Sequence, residues 1–250
     1  MRTILVCLLA LMLGPSLAMA QSSIAKGFSF NVERGPGKHA VTRVQFPDGI
    51  KAERFELRAG DCSRKNGDCT NDRERVEFLE KGKQQRIGQD VWVGWSVYVP
   101  GDFPRQGKRM NVKLGQFHQL GGNGPRLLVE LNDEALVAKL QSPFVKDNDP
   151  MRPRGDFKSA RLASRNAMMG QWVRIVVNAK WSKGDDGYVT VWVDGKEKLS
   201  YAGPTTHSNG NVYFRYGLYR SFVSRCGGPC PTLVAYFGDV KRGRDRGAVQ

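Results

Sequence analysis

The sequence predicts an all-β fold, an antiparallel two-sheet β-sandwich of the jelly-roll type with a concave groove. Strand-like segments recur along most of the chain, whereas helical periodicity is scarce. Gly and Pro, present in 29 and 12 copies, separate these segments as turns do in all-β domains. The predicted strands cover residues 28–32, 54–58, 91–99, 126–131, 172–179, 189–193, 212–219 and 232–237.

Local patterns justify the individual elements. Segment 91–99, VWVGWSVYV, alternates aromatic and aliphatic residues with small or polar ones, as a half-buried strand does. Asp194 and Gly195 follow the segment VTVWV and predict a two-residue hairpin turn, and KGDDG at 183–187 predicts another turn. The polar stretch 146–165 is predicted to be a long basic loop, with at most a helical turn or two near 159–166.

The first twenty residues have the pattern of a signal peptide. Arg2 supplies the positive charge, residues 4–13 form the apolar stretch, and Ala18, Met19 and Ala20 form the cleavage motif. The apolar stretch is shorter than the roughly 20 residues that span a bilayer. We therefore expect removal of residues 1–20, one domain over residues 21–250, no membrane insertion, and a secreted or periplasmic location.

Cysteine spacing indicates two small covalent loops. Four cysteines remain after Cys7 leaves with the signal peptide, and they form two local pairs, Cys62 with Cys69 and Cys226 with Cys230. An even number of cysteines in an exported chain favours disulfides, and the short spacings favour the local pairing. A zinc site built from the same residues is the alternative.

The formal net charge of +15 predicts an anionic partner. Nucleic acid, a membrane surface and an acidic polysaccharide all carry suitable charge. The sequence contains no helix-turn-helix, zinc-finger or ribonucleoprotein motif, which argues against nucleic acid. Because an exported protein meets polysaccharides outside the cytoplasm, an acidic polysaccharide is the favoured partner. The expected oligomeric state is a monomer. The basic stretch 241–246 is interpreted as a solvated end of the chain.

Three distant segments place polar side chains on one face of a strand. They are RVEF at 75–78, QFH at 116–118 and YFRYGLYR at 213–220. Side chains of a strand alternate between faces, so residues two or four apart lie together. The pairs that share a face are Arg75 with Glu77, Gln116 with His118, and Arg215 with Tyr219. A guanidinium, an amide, an imidazole and a phenol on one surface are suited to removing a proton beside a carboxylate.

These motifs resemble those of the jelly-roll polysaccharide lyases. Alginate lyases of this clan carry an Arg-Ser/Thr-Glu-Leu/Val strand, a Gln-Ile/Val-His strand and a Tyr-Phe-Lys-Ala-Gly-x-Tyr strand. The surrounding segments VWVGWSVYVPGDFP, KLGQFHQ and GQWVRIVVNAKWSKGDDGYVTVWVDG are more similar to the heparin lyase and glucuronan lyase branch. The resemblance extends from about residue 53 to residue 220 and implies a concanavalin-like sandwich.

The resemblance implies a β-elimination that cleaves a uronate-containing glycan. Arg75 and Gln116 would neutralise the uronate carboxylate, and His118 and Tyr219 are the candidates for base and acid. In a syn elimination Tyr219 would serve as both, with His118 assisting, whereas in an anti elimination His118 would take the proton and Tyr219 would return one. Two residues depart from the family pattern. Arg215 replaces the family's Lys, and Tyr216 replaces its small residue. Because Tyr216 and Tyr219 lie on opposite faces, only Tyr219 matches the catalytic tyrosine.

The remaining assignments concern binding. Arg215, Arg220 and Glu77 are the predicted substrate-binding residues, with an orienting role for Glu77, and the substrate is of the alginate, glucuronan or glycosaminoglycan type. No cofactor or catalytic metal is expected, although the resemblance allows a structural calcium ion. Two alternatives remain: a non-catalytic, lectin-like module for acidic glycans, and a glycoside hydrolase, which needs two facing carboxylates about 5–9.5 Å apart.

Overall fold

The computed structural model describes residues 24–27, 30–34, 37–64, 67–81, 85–107, 110–121, 124–143 and 156–250. The predicted signal peptide lies outside these residues. Within them, two antiparallel sheets of seven strands each pack face to face, which confirms the predicted β-sandwich. The single α-helix of this part of the chain, α1 (Arg165–Met168), is one turn long.

We call the two layers the front sheet and the back sheet and number their strands in chain order. Across the front sheet the strands are β1 (Phe30–Arg34), β4 (Arg73–Glu80), β13 (Val212–Ser221), β6 (Val112–Gln119), β7 (Pro125–Leu131), β8 (Ala135–Gln141) and β9 (Asp156–Ser164). Across the back sheet they are β12 (Lys196–Ala202), β11 (Tyr188–Val193), β10 (Trp172–Lys180), β5 (Asp90–Tyr98), β14 (Leu233–Gly243), β3 (Lys51–Leu57) and β2 (Val41–Gln45). Three short 3₁₀ helices cover Asp68–Thr70, Val223–Cys226 and Gly247–Val249.

Aromatic side chains fill the space between the sheets. The Trp95 ring on β5 lies 4.8 Å from the Phe214 ring on β13, and the Phe55 ring on β3 lies 5.5 Å from the Phe78 ring on β4. All four side chains are buried. Burying one large apolar side chain stabilises the fold by about 1.5–3 kcal/mol, so this layer holds the front sheet firmly in place.

The structure confirms some local predictions and corrects others. Asp194 and Gly195 form the predicted hairpin turn, with φ values of 48° and 78°. The predicted loop at 146–165 is wrong in its second half, because β9 covers residues 156–164 and α1 follows, while residues 146–155 lie outside the described residues. The basic end is not a solvated tail, since β14 extends to Gly243 and Arg242 pairs with Glu80. In the described residues, no helix is long and apolar enough to cross a membrane.

Two carboxylic acids are buried between the sheets. Glu53 on the back sheet accepts hydrogen bonds from the Tyr216 hydroxyl at 2.6 Å and from the Ile24 amide at 2.7 Å. Glu80 on the front sheet accepts one from the Phe214 amide at 2.6 Å. Burial raises the pKa of each carboxyl group from 4.5 to about 7. Between pH 4.5 and about 7, these two carboxyl groups are protonated in the folded chain and ionised in the unfolded chain.

We expect the free energy of unfolding to fall as the pH rises from about 4.5 to about 7, because the folded state binds more protons than the unfolded state there. Glu53→Gln cannot ionise, so its Tm should improve relative to the parent across this window and level off above it. Thermal unfolding at a series of pH values measures the difference. Glu134→Gln at an exposed position is the control, and a pH-independent difference for Glu53→Gln would contradict the prediction.

Candidate functional site

The three polar motifs meet because β4, β13 and β6 are neighbours in the front sheet. Their pairing fixes which residues lie opposite one another. The opposed pairs are Tyr219 with Arg75, Gly217 with Glu77, Arg215 with Gln116, and Tyr213 with His118. Except for Gly217, these side chains lie on the face of the sheet directed away from the core. The predicted convergence of guanidinium, amide, imidazole and phenol groups is therefore present.

Glu77 forms the centre of this arrangement. Its carboxylate accepts a hydrogen bond from Gln116 Nε2 at 2.7 Å and from Arg75 Nη1 at 3.0 Å, and Arg215 Nη1 lies 3.7 Å away. The Glu77 side chain is fully buried. An anion so enclosed does not contact an anionic substrate, so the assignment of Glu77 to substrate binding does not hold, whereas the orienting role expected from the sequence fits these contacts. It fixes the Gln116 amide and neutralises part of the cationic charge.

Arg75 is held by a residue that the sequence analysis did not identify. Its Nε and Nη2 donate to the two carboxylate oxygens of Asp68, each at 3.0 Å, in a bidentate ion pair. Asp68 is fully buried and lies within the loop closed by the Cys62–Cys69 disulfide. Both predicted disulfides are present, with Cα–Cα distances of 5.1 Å for this one and 5.3 Å for Cys226–Cys230. The first disulfide loop thus supports the functional face.

Tyr219 is packed between two cations. The Arg75 guanidinium lies 4.2 Å from the centre of its ring, and the Lys113 ammonium lies 5.1 Å from it. Lys113 also donates to Ser221 Oγ at 3.2 Å and is largely buried. Burial lowers the pKa of Lys113 from 10.5 to about 8. The cations against the Tyr219 ring are therefore Arg75 and Lys113, and neither is one of the predicted substrate-binding arginines, Arg215 and Arg220.

Two β-bulges explain how Lys113 reaches this face. The pairing shifts by one residue between Lys113 and Gly115 on β6 and again between Tyr216 and Tyr219 on β13. Both shifts include a glycine without room for a side chain. A Cβ at Gly115 would lie 2.8 Å from the Trp95 ring, and a Cβ at Gly217, where φ is 134°, would lie 2.4 Å from the Val76 carbonyl oxygen. Glycine inside a strand often marks a bulge, and this was the available signal.

His118 contacts Tyr213 rather than Tyr219. Its Nδ1 lies 3.2 Å from the Tyr213 hydroxyl and 3.2 Å from the Gln119 carbonyl oxygen, and the two rings stack at 5.4 Å. Burial lowers the pKa of His118 from 6.5 to about 3, with repulsion from Arg215 as the next cause. The imidazole is therefore neutral throughout the pH range in which proteins usually work.

Arg220 does not reach the functional face. Its side chain is fully buried, donates from Nε to Glu74 Oε2 at 3.0 Å and donates from Nη1 to the Pro231 carbonyl oxygen at 2.8 Å. It follows Tyr219 directly in the strand and so points towards the other side of the sheet. The predicted substrate contact of Arg220 is wrong, because an arginine paired inside the sandwich has no access to a polymer.

Further cations lie on the neighbouring strands. Arg126 on β7 is close enough to His118 to disfavour its protonation, and its Nη1 lies 3.4 Å from His207 Nδ1. Lys139 on β8 pairs with Glu130 at 2.7 Å, and its positive charge contributes to the lowered pKa of Lys113. Among the described residues, no group of three or more His, Cys, Asp or Glu residues could hold a metal ion, and the structural calcium ion stays a prediction.

Comparisons with known proteins agree with this architecture. The model of a family described as "Polysaccharide lyase" matches residues 22–241. A search of curated protein sequences gives no significant match. The fold is similar to endo-β-1,4-glucuronan lyase from the fungus Trichoderma reesei, with a TM-score of 0.69, 16% identity, and 92% of this chain and 97% of that chain covered. It is also similar to an alginate lyase from Pseudomonas aeruginosa, with a TM-score of 0.58, 16% identity, and 86% and 98% coverage. Because the family model covers most of the sequence, the chain belongs to the polysaccharide lyase family.

Proposed function

We propose that the protein cleaves a uronate-containing polysaccharide by β-elimination and leaves a 4,5-unsaturated uronate at the new end. The observation that carries this proposal is the arrangement of Gln116 and Arg215 around the buried Glu77, with Tyr219 on one side and His118 on the other. This set combines groups that stabilise a carboxylate with groups that transfer or share a proton.

The first chemical requirement is to make the C5 proton of the uronate acidic. A charged carboxylate resists further negative charge, so its neutralisation lets it develop enediolate character. Gln116 gives one amide N–H to Glu77 and has a second for the substrate. Arg215 and Arg75 supply positive charge beside it. Donors of this kind contribute about 10²–10³ in rate.

The second requirement is proton transfer. The base takes the proton from C5, the C4–O4 bond breaks, a C4–C5 double bond forms, and an acid gives a proton to the departing O4. The Tyr219 ring lies 4.2 Å from the Arg75 guanidinium and 5.1 Å from the Lys113 ammonium, so the hydroxyl proposed to exchange the proton belongs to a ring held against two cations. In a syn elimination Tyr219 serves as base and then as acid, because C5–H and O4 lie on the same side of the sugar.

The expected substrate is a polyanion outside the cytoplasm. The chain has a formal charge of +15, and the buried Arg126 and Lys113, together with the partly exposed Lys139, add positive charge behind the functional face on β7, β6 and β8. The predicted signal peptide and the two disulfides support a secreted or periplasmic protein. The likeness to lyases described as acting on glucuronan and alginate makes these polymers the first to test.

The decisive experiment follows ultraviolet absorbance during incubation with glucuronan, alginate and glycosaminoglycans. The unsaturated uronate is conjugated to its carboxylate and absorbs, whereas hydrolysis gives no such chromophore. We expect increasing absorbance with at least one polymer. Binding of several polymers without this product would contradict the proposal and favour the lectin-like alternative. Reducing ends released without absorbance would indicate hydrolysis instead.

A further inference from the structure

Tyr213 connects His118 to Arg215 on the functional face. The Tyr213 hydroxyl lies 3.2 Å from His118 Nδ1, and Arg215 Nη2 donates to the same hydroxyl oxygen at 3.0 Å. The Arg215 guanidinium also lies 5.1 Å from the centre of the Tyr213 ring. Tyr213 stands directly opposite His118 in the pairing of β13 with β6, so the contact is fixed by the backbone.

The chemistry of these groups determines the direction of the hydrogen bonds. A guanidinium only donates, so the Tyr213 oxygen must accept from Arg215. The remaining phenolic proton is then available to His118 Nδ1, which can accept it only when Nδ1 carries no proton. The chain of donors runs from Arg215 through Tyr213 to His118.

A second partner competes for the same nitrogen. The Gln119 carbonyl oxygen also lies 3.2 Å from Nδ1, but it can bond only to a protonated Nδ1. A neutral imidazole carries one proton, so the two arrangements exclude each other. Arg215 donates to the Tyr213 oxygen in both arrangements, so what distinguishes them is that this charge-assisted bond polarises the phenol O–H and strengthens its hydrogen bond to Nδ1. The phenol bond polarised by Arg215 therefore outweighs the neutral bond to Gln119.

We propose that Tyr213 is a positioning residue which holds His118 in the tautomer with its proton on Nε2. In this tautomer His118 donates a hydrogen bond to the bound uronate and does not remove the C5 proton. The functional consequence rests on the proposed lyase activity, whereas the tautomer itself is a property of the free protein.

The charges around His118 support this assignment. Arg215 on β13, Arg75 on β4 and Arg126 on β7 all disfavour the imidazolium, and burial together with these groups lowers the pKa of His118 to about 3. Accepting a proton from C5 would create a further cation beside three guanidinium groups. Donation from Nε2 avoids this charge and leaves proton transfer to Tyr219.

Nitrogen-15 NMR of the full-length labelled protein tests the tautomer directly. The chain has three histidines, so the His118 signals are identified by their loss in His118→Gln. We expect the parent to show a protonated Nε2 and an unprotonated Nδ1. In Tyr213→Phe the Gln119 carbonyl becomes the remaining partner of Nδ1, so the proton should move to Nδ1 and the pKa of His118 should rise above 3.

Activity gives a second readout. In Tyr213→Phe the tautomer of His118 with its proton on Nε2 lies higher in free energy by about one hydrogen bond. We therefore expect kcat to fall about tenfold with little change in KM. In the plot of kcat against pH, the loss of activity on the acid side should begin at a higher pH than in the parent. Tyr236→Phe, on the outer face of the back sheet, is the matched control and should change neither the spectrum nor the profile.

A proton on Nδ1 in the parent would overturn the proposal, and so would an unchanged tautomer in Tyr213→Phe. If Tyr213→Phe does not fold, the parent spectrum remains a complete test, and Arg215→Met, which removes the polarising donor, should give a mixture of tautomers. A parent with the Nε2 proton but no lyase product would contradict the proposed function alone. A parent with the Nδ1 proton and full lyase activity would contradict the tautomer assignment alone.

Discussion

Tyr219→Phe is expected to lower kcat by about 10³-fold on any uronate polymer that the parent cleaves, because positioned proton transfer contributes about 10²–10⁴. The substitution removes one oxygen and keeps the ring. The contacts of that ring with Arg75 at 4.2 Å and Lys113 at 5.1 Å do not involve the hydroxyl group, so folding and KM should change little. The formation of the unsaturated product, measured by its absorbance, gives the rate.

The appropriate control is Tyr236→Phe, which makes the same chemical change on the back sheet. Its kcat should equal that of the parent. Turnover near the parental rate in Tyr219→Phe would show that Tyr219 does not transfer the proton. Tyr213 would then be the next candidate, because its hydroxyl lies on the same face and contacts His118.

The fold was largely predictable where one strand face is buried. In β5 the inward residues Val91, Val93, Trp95 and Val97 are all at most 2% exposed, and the alternation of segment 91–99 shows this directly. Edge strands give a weaker signal. Among the described strands β9 pairs with β8 alone, and its polar residues such as Lys158 are exposed, so its sequence is similar to that of a loop.

The site was predictable only as far as strand alternation is regular. Arg75, Gln116 and Tyr219 lie on the expected face. The assignment of Arg220 failed although alternation already excludes it, since Arg220 immediately follows Tyr219. Strand alternation could not identify Lys113. In a regular strand its odd spacing from Gln116 would place the two side chains on opposite faces, and only the bulge at Gly115 brings Lys113 to the face of Gln116.

The prediction with the largest effect on stability concerns the buried pair of Glu74 and Arg220. Glu74 also accepts a hydrogen bond from the Gly60 amide at 2.8 Å, so the pair ties β4 and β13 to a neighbouring loop. Glu74→Leu leaves a fully buried guanidinium without its carboxylate, which should lower the free energy of unfolding by about 3–5 kcal/mol.

The double variant Glu74→Leu with Arg220→Leu should recover much of this loss, because replacing a buried ion pair with apolar side chains is often neutral. Urea unfolding of the parent, both single variants and the double variant measures the coupling. Glu197→Ala, at an exposed position of the edge strand β12, is the control and should leave the unfolding midpoint unchanged.

The same variants separate a structural role of Arg220 from a role in binding. Because Arg220 lies inside the sandwich, the double variant should keep the parental KM at temperatures where it is fully folded. A contact with the polymer would instead raise KM in every variant that lacks Arg220, whatever its stability. A raised KM in the folded double variant, with Glu74→Leu alone close to the parent in KM, would show that Arg220 reaches the substrate after all.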